Sequence, residues 1–120
     1  MKLLIVDDSK AMRMIVRKTL RQAGYGSAEV TEATNGQEAL SLLQSAPVDL
    51  VLSDWNMPEM SGIELLTKLA TDGPQVKFGF VTSEGTAEMR ERARQQGALF
   101  LIAKPFTVES FQEALKPVLG

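Results

Sequence analysis

The chain contains no cysteine and no histidine, and its net charge is only -2. Without cysteine there can be neither a disulfide nor a thiolate zinc site, and without histidine no Ser-His-Asp or Cys-His catalysis can occur within the chain. The slightly acidic balance argues against non-specific nucleic-acid binding, which needs a basic surface. Any metal would have to be bound by oxygen ligands, which favours hard cations such as Mg²⁺ or Mn²⁺.

Long apolar runs are missing as well. The apolar run at residues 3–6 ends at Asp7 and Asp8, far short of a signal-peptide core or a membrane span. We therefore expect a cytoplasmic protein with no membrane partner. The 120 residues, 44% of them hydrophobic and 23% charged, predict one ordinary globular domain over residues 1–120, with no output domain.

Strand and helix patterns alternate five times along the chain. The predicted strands cover residues 2–6, 28–33, 49–53, 76–81 and 99–103, and the helices begin near Ser9, Asn35, Ser61, Thr86 and Thr107. Most strands are short, continuous apolar runs, typical of strands buried on both faces of a parallel sheet. The second alternates more, which favours a place near an edge. The pattern predicts a single doubly wound α/β domain with right-handed crossovers.

The apolar residues within the helices predict which faces are buried. Ile15 and Val16 belong to the predicted buried face of the first helix, and Leu42 and Leu43 to that of the second. The third helix opens with a capping box, in which Ser61 is followed three residues later by Glu64. The helix from Thr86 has few large apolar residues, so we expect it to be held weakly.

Polar residues end four of the five predicted strands. Asp7 and Asp8 follow the first strand, Asp54 the third, Thr82 ends the fourth, and Lys104 follows the fifth. The carboxyl ends of parallel strands share one edge of the sheet, where ligands of such folds bind. We therefore expect these side chains to meet. Three nearby carboxylates repel one another, and a divalent cation such as Mg²⁺ resolves that conflict.

The same side chains are those needed to transfer a phosphoryl group to Asp54. Carboxylates act as phosphoryl acceptors in aspartyl-phosphate chemistry. A metal ion and Lys104 would neutralise charge on the transferring group, and Thr82 can donate one hydrogen bond to it. A single strand-end aspartate more often only caps a loop. The convergence of several polar strand ends favours phosphoryl transfer over that interpretation.

The motifs together resemble the receiver domain of two-component response regulators. The resemblance covers the whole chain and consists of Asp7-Asp8 after an apolar strand, Asp54 in D-x-x-M-P, Ser61-Gly62, Thr82-Ser83 and Lys104-Pro105-Phe106. Residues 54–58, Glu64-Leu65-Leu66, Glu84 and residues 104–107 are most similar to the stand-alone chemotaxis members. The resemblance implies a flavodoxin-like fold, a (βα)5 domain with a five-stranded parallel sheet in the order 2-1-3-4-5.

The resemblance also implies a role for each polar residue at that edge. Asp54 would accept the phosphoryl group from a phosphohistidine of a histidine kinase, assisted by Thr82 and Lys104, which would bind the phosphoryl oxygens. In this family Mg²⁺ would be bound by Asp8, by Asp54 and by the backbone carbonyl of Asn56. Asp7 would reach the ion largely through water. The domain would be a phosphoacceptor that assists its own phosphorylation and dephosphorylation, rather than an enzyme.

Four residues near this edge bear on lifetime and switching. Asn56 and Glu84 occupy the two variable positions that tune hydrolysis of the aspartyl phosphate in this family. Receivers usually carry an aromatic residue three positions before the lysine, and it moves inward when the threonine binds phosphate. Here that position is Leu101, beside Phe100. Three interpretations are open. Phe100 could replace the usual aromatic residue through a local shift, the surface could respond by backbone movement instead, or Leu101 could simply be part of the strand core.

The implied partners are proteins. With no output domain, the surface of the fourth helix, fifth strand and fifth helix would bind a downstream target, with the flagellar motor switch as the candidate. A phosphatase is a further candidate partner, and a monomer is expected. A receiver in a relay outside chemotaxis, or a module of a larger regulator, is the alternative.

Two other classes fit the sequence less well. A haloacid-dehalogenase-like phosphohydrolase would need an acid two residues after the nucleophile, where this chain has Asn56, and a substrate cap. A flavin-binding electron carrier would need a phosphate loop after the first strand. There Asp7 and Asp8 would repel the flavin phosphate.

Overall fold

Five strands form one parallel sheet in the structure, a computed structural model that describes residues 1–119. They are β1 (Lys2–Val6), β2 (Glu29–Ala33), β3 (Leu50–Ser53), β4 (Lys77–Thr82) and β5 (Leu101–Ala103). Their order is β2-β1-β3-β4-β5, and every neighbouring pair is parallel. The predicted fold class, strand order and edge position of β2 are confirmed.

Within residues 1–119, each of the five strands is followed by an α-helix. These helices are α1 (Lys10–Leu20), α2 (Gly36–Ser45), α3 (Gly62–Thr71), α4 (Ala87–Gln95) and α5 (Val108–Leu119). A wider helical turn, Arg21–Tyr25, extends α1 and contains Gly24 with a φ of 107°. Because that left-handed conformation is easily adopted only without a Cβ atom, Gly24 ends the helix, as predicted. Among residues 1–119, no helix combines the length and apolarity that crossing a membrane requires.

The sheet is covered on both faces, because its strands alternate side chains between two apolar layers. One layer packs against α2, α3 and α4 and contains Leu4, Val6, Leu43, Leu65, Leu69, Phe78, Phe80 and Ala93. The other packs against α1 and α5 and contains Leu3, Ile5, Val16, Leu20, Val81, Phe111 and Leu115. Strand β3 is buried at every position, from Leu50 to Ser53. This is why the central strands are continuous apolar runs.

Two predicted helix faces are wrong in detail. Ile15 is 48% exposed and Leu42 is 36% exposed, although both were expected inside. In α1 the buried residues are Val16, Thr19 and Leu20. Ile15 precedes Val16 by one residue, which is about 100° around the helix, and this rotation places it at the edge of the buried stripe. In α2 the face is similarly centred on Ala39 and Leu43. Apolar spacing alone does not determine the rotation of a helix about its axis, since packing against the sheet does.

The carboxyl half of the domain differs slightly from prediction. Strand β5 begins at Leu101 rather than at Leu99, which is 52% exposed. Two backbone hydrogen bonds nevertheless extend the pairing with β4, from Leu99 N–H to the Phe78 carbonyl and from Phe80 N–H to the Phe100 carbonyl. Helix α4 buries only Ala93, which confirms its thin apolar face.

Candidate functional site

The polar residues at the strand ends are placed by the backbone pairing of the sheet. The Asp54 N–H donates to the Val6 carbonyl at 2.9 Å, which continues the β1–β3 pairing by one residue. The Asp7 N–H donates to the Ala33 carbonyl at 3.1 Å, on the other side of β1. The parallel sheet therefore holds both backbones at one edge.

Three carboxylates meet at this edge, as the sequence predicts. One oxygen from each of Asp7, Asp8 and Asp54 lies within 4.8 Å of the others. Asp7 is buried, Asp54 is half-buried and Asp8 is exposed, so the cluster opens to solvent through Asp8. Carboxylate oxygens in this arrangement are the ligand type that hard divalent cations prefer. The donor set therefore fits a metal ion such as Mg²⁺.

Lys104 joins two of these carboxylates. Its Nζ atom lies 3.3 Å from Asp7 Oδ2 and 3.4 Å from Asp54 Oδ2. The Lys104 N–H also donates to the Thr82 carbonyl at 2.8 Å, which ties the segment after β5 to the end of β4. The Lys104 side chain is only 15% exposed, so water screens its charge weakly. The lysine predicted from the fifth strand end thus lies beside the candidate phosphoacceptor.

The surroundings of Asp7 disfavour its ionised form. Burial, the largest influence, raises the pKa of the Asp7 carboxyl above its ordinary value of 3.8, and the negative charge of Asp54 acts in the same direction. The Ser9 backbone N–H, which donates to Asp7 Oδ1 at 2.9 Å, and the Lys104 ammonium oppose that rise. The nearby positive charge therefore does not fully offset the cost of ionising the buried Asp7 carboxyl. A bound divalent cation would stabilise the ionised form further.

The Asp54 carboxylate is oriented by its own loop. The Trp55 N–H donates to Asp54 Oδ1 at 2.7 Å, and the Ser53 hydroxyl donates to the Asp54 carbonyl at 2.8 Å. The Gly62 N–H donates to the Trp55 carbonyl at 2.8 Å. A Cβ atom at Gly62 would lie 2.1 Å from the Asp54 carbonyl oxygen, so only glycine allows α3 to start this close. The capping box at Ser61 and Glu64 is present, as predicted.

Ser53 is a supporting residue that sequence reasoning missed. It is fully buried in β3, directly before Asp54, and its hydroxyl satisfies a backbone carbonyl beside the acceptor. A single polar residue at the end of an apolar run was the available signal. That pattern by itself indicates only the end of a strand.

Thr82 lies fully buried at the end of β4. Its Oγ1 atom accepts a hydrogen bond from the Glu84 N–H at 3.4 Å, a long contact at the limit of normal geometry. Glu84 and Asn56, the two residues expected to tune hydrolysis, are both exposed, in the loops that follow β4 and β3. The hydroxyl is thus loosely engaged with the following loop.

Leu101 and Phe100 lie in different layers of the core. Leu101 packs against the layer that contains Phe80, whereas Phe100 packs against the layer that contains Phe111. The Phe100 ring packs directly against Gly79: a Cβ atom at Gly79 would lie 2.1 Å from the ring. Placing Phe100 on the Leu101 side would require a one-residue slip of β5.

Comparisons with known proteins agree with this geometry. The model of the response regulator receiver domain family matches residues 3–116. "Chemotaxis protein CheY1" of Helicobacter pylori is 40% identical over 100% of this chain and 98% of that protein. "Probable chemotaxis protein CheY" of Rhizobium etli is 36% identical over 99% of this chain and 92% of that protein.

Solved structures are similar too. The structure of chemotaxis response regulator CheY4 of Vibrio cholerae superposes with a TM-score of 0.83 at 36% identity, covering 98% of both chains. A Francisella response regulator receiver domain, at 23% identity, shares the fold with a TM-score of 0.86 over 98% of this chain and 94% of that one. The chain belongs to the response regulator receiver domain family.

Proposed function

We propose that Asp54 accepts a phosphoryl group from the phosphohistidine of a partner histidine kinase, in a reaction that requires Mg²⁺. The observation that carries this proposal is the double contact of Lys104 Nζ, at 3.3 Å from Asp7 and 3.4 Å from Asp54. A cation held between an acceptor carboxylate and a second acid is suited to bind phosphoryl oxygens when they arrive. The absence of histidine from the chain fits a donor histidine supplied by the partner.

The chain's own residues would act as follows. A carboxylate oxygen of Asp54 attacks phosphorus, an O–P bond forms, and the P–N bond breaks with its electron pair going to the departing imidazole. The Trp55 N–H, bonded to Asp54 Oδ1 at 2.7 Å, holds the carboxylate in orientation. Lys104 and the Thr82 hydroxyl then donate hydrogen bonds to the oxygens of the transferred group.

The acidic cluster would hold the metal ion. Asp8 and Asp54, with the Asn56 carbonyl, would be its direct ligands, and Asp7 would bind through water. When bound, Mg²⁺ supplies positive charge that neutralises the transferring phosphoryl oxygens. The meeting of three carboxylates within 4.8 Å and the raised pKa of Asp7 support this assignment.

Exposed residues beside the site would set how long the phosphoryl group remains. Hydrolysis requires a water molecule to attack phosphorus on the side away from Asp54. Asn56 and Glu84, both exposed in neighbouring loops, would admit and orient that water. The switch would run through Thr82 and Leu101, with backbone movement rather than entry of Phe100, because Phe100 lies in the opposite layer.

The signal would leave through the surface formed by α4, β5 and α5. A groove of about 490 Å³ lies there, with Arg90, Leu101, Phe106 and Ser110 among its lining residues. We propose that a downstream protein binds this surface in the cytoplasm, that the receiver is monomeric, and that a phosphatase resets it. The names of the relatives favour chemotaxis, and hence a flagellar motor switch as target, over a relay outside chemotaxis.

The test is the intact mass of the protein after incubation with acetyl phosphate, with and without Mg²⁺. We expect a labile gain of one phosphoryl group that requires Mg²⁺ and is lost in Asp54→Asn. Asp72→Asn, an exposed aspartate at the end of α3, is the matched control and should behave as wild type. Where the adduct is too short-lived, beryllofluoride replaces the phosphoryl group. Phosphorylation of Asp54→Asn to the same extent as wild type would refute the assignment.

A further inference from the structure

One arginine joins the loop after β4 to strand β5. From the first turn of α4, Arg90 Nε donates to the Gly85 carbonyl at 3.2 Å, and Arg90 Nη1 donates to the Leu101 carbonyl at 3.1 Å. The two acceptors lie sixteen positions apart in the sequence, on segments that come together only in the fold. A single guanidinium group therefore bridges the loop and the strand, using two of its fixed donors.

The bridge closes over a tightly packed contact. A Cβ atom at Gly85 would lie 3.2 Å from the Ala103 Cβ atom, 3.2 Å from Arg90 Nη2 and 3.6 Å from Leu101 Cδ2. The loop therefore lies directly on β5, with the arginine side chain beside it. Any movement of this loop away from the strand must break at least one of the two guanidinium hydrogen bonds.

This loop is also the segment that a phosphoryl group would pull. Thr82 Oγ1 accepts the Glu84 N–H at 3.4 Å, so the threonine hydroxyl is coupled to the residue before Gly85. Rotation of that side chain towards a phosphoryl group on Asp54 would lengthen this already long contact and allow the loop to shift. Helix α4, which buries only Ala93, offers little resistance.

We propose that Arg90 is a positioning residue that latches the loop to β5 and stabilises the unphosphorylated arrangement of this face. The inference rests on the proposed function of Asp54 and specifies how its response is restrained. Leu101 has no ring or hydroxyl to hold either arrangement, whereas its carbonyl is held by Arg90. The latch therefore acts on the backbone of β5 rather than on the side chain at that position.

A latch that favours the resting arrangement must oppose binding of a phosphoryl analogue, because the two are linked thermodynamically. Removing it should raise the population of the binding-competent arrangement and tighten the binding of the analogue. For Arg90→Ala we expect beryllofluoride, in saturating Mg²⁺, to bind about five-fold more tightly than to wild type. Gly85→Ala, whose Cβ atom would lie 3.2 Å from both Ala103 Cβ and Arg90 Nη2, should loosen the same contact without removing charge and change affinity in the same direction.

The chain offers a matched control on the same helix. Arg94 is exposed and pairs with Glu91 within α4, without a bond to the loop or β5 among the described residues. Arg94→Ala removes the same charge from α4 and should leave beryllofluoride affinity within two-fold of wild type. Trp55, the only tryptophan of the chain, directly follows Asp54 and donates its backbone N–H to that carboxylate, so its fluorescence should change on binding.

Backbone amide spectra provide the readout, because loss of the arginine contacts alone would move nearby resonances but not specifically towards their positions in the beryllofluoride-bound protein. In free Arg90→Ala, the Gly85 and Ile102 amide resonances should move part of the way towards their positions in beryllofluoride-bound wild type. Unchanged affinity and unshifted resonances in Arg90→Ala, with normal binding by wild type, would overturn the latch alone. A loss of stability in urea without those changes would also overturn it. Failure of wild type itself to bind beryllofluoride would overturn the proposed function, and the latch with it.

Discussion

Lys104 should compete with the metal ion for Asp54 and for the negative charge of Asp7. Its Nζ atom lies 3.3 Å from Asp7 Oδ2 and 3.4 Å from Asp54 Oδ2. Replacing it by methionine keeps most of the side-chain volume and removes the charge. The variant Lys104→Met should therefore bind Mg²⁺ more tightly than wild type, because the carboxylates lose a bound cation.

The size of the effect follows from the two distances. A pair of unit charges about 4 Å apart interacts by about 1 kcal/mol with the screening of bulk water, and more where solvent is excluded. The Lys104 and Asp7 side chains are only 15% and 5% exposed, so the water value is a lower bound for each contact. Two such contacts amount to at least about 2 kcal/mol, or roughly thirty-fold or more in the dissociation constant for Mg²⁺.

The assay is a titration of Trp55 fluorescence with MgCl₂ at pH 7.5, followed by beryllofluoride in saturating Mg²⁺. The second titration should change in the opposite direction, since Lys104→Met lacks a donor for the phosphoryl oxygens. Lys116→Met removes an exposed lysine of α5 that makes no ion pair with the carboxylates of the site among the described residues, and it should match wild type in both titrations. Magnesium binding that is unchanged or weaker in Lys104→Met would refute the competition.

Two further changes test the packing and the surface electrostatics. Gly79→Ala should lower the free energy of unfolding by about 1–3 kcal/mol, because its Cβ atom would lie 2.1 Å from the Phe100 ring. Urea titration measures this loss, and combining it with Phe100→Ala should recover part of it; equal stability of Gly79→Ala and wild type would contradict the contact. Glu32→Gln should cost about 1 kcal/mol at pH 7. Burial, the largest single influence, raises the pKa of Glu32, but the hydrogen bonds and charges of Arg13 and Arg17 together outweigh it and lower that pKa below 4.5. The arginines stabilise only the ionised form of Glu32, so this carboxylate loses its contribution to stability as it becomes protonated. The difference in unfolding free energy between wild type and Glu32→Gln should therefore shrink as pH falls below about 4.5 through the lowered pKa. A constant difference down to pH 3 would contradict this reasoning.

The candidate site was largely predictable because parallel strands end at a common edge. Asp7, Asp54, Thr82 and Lys104 each stand at the end of a recognisable strand, and that topology alone brings them together. Ser53 was not predicted as a supporting residue, because one hydroxyl at the end of an apolar strand does not show which backbone carbonyl it will satisfy.

Rotation of helices and side-chain bridges were not predictable in the same way. Leu42 follows helical apolar spacing, yet it is 36% exposed, since the angle at which α2 meets the sheet selects the buried stripe. Arg90 belongs to a charged run that indicates only a solvated helix face. Its two carbonyl acceptors are determined by how the loop after β4 lies on β5.

The sequence by itself determined the α/β alternation, the strand ends and the chemistry of their side chains, because these depend on local periodicity and on residue type. Tertiary structure alone decided which of two adjacent residues, Phe100 or Leu101, faces which layer, and that Lys104 contacts both Asp7 and Asp54. Such facts depend on register and on distances of a few ångströms between segments far apart in the chain. Only the packing of the whole sheet sets those distances.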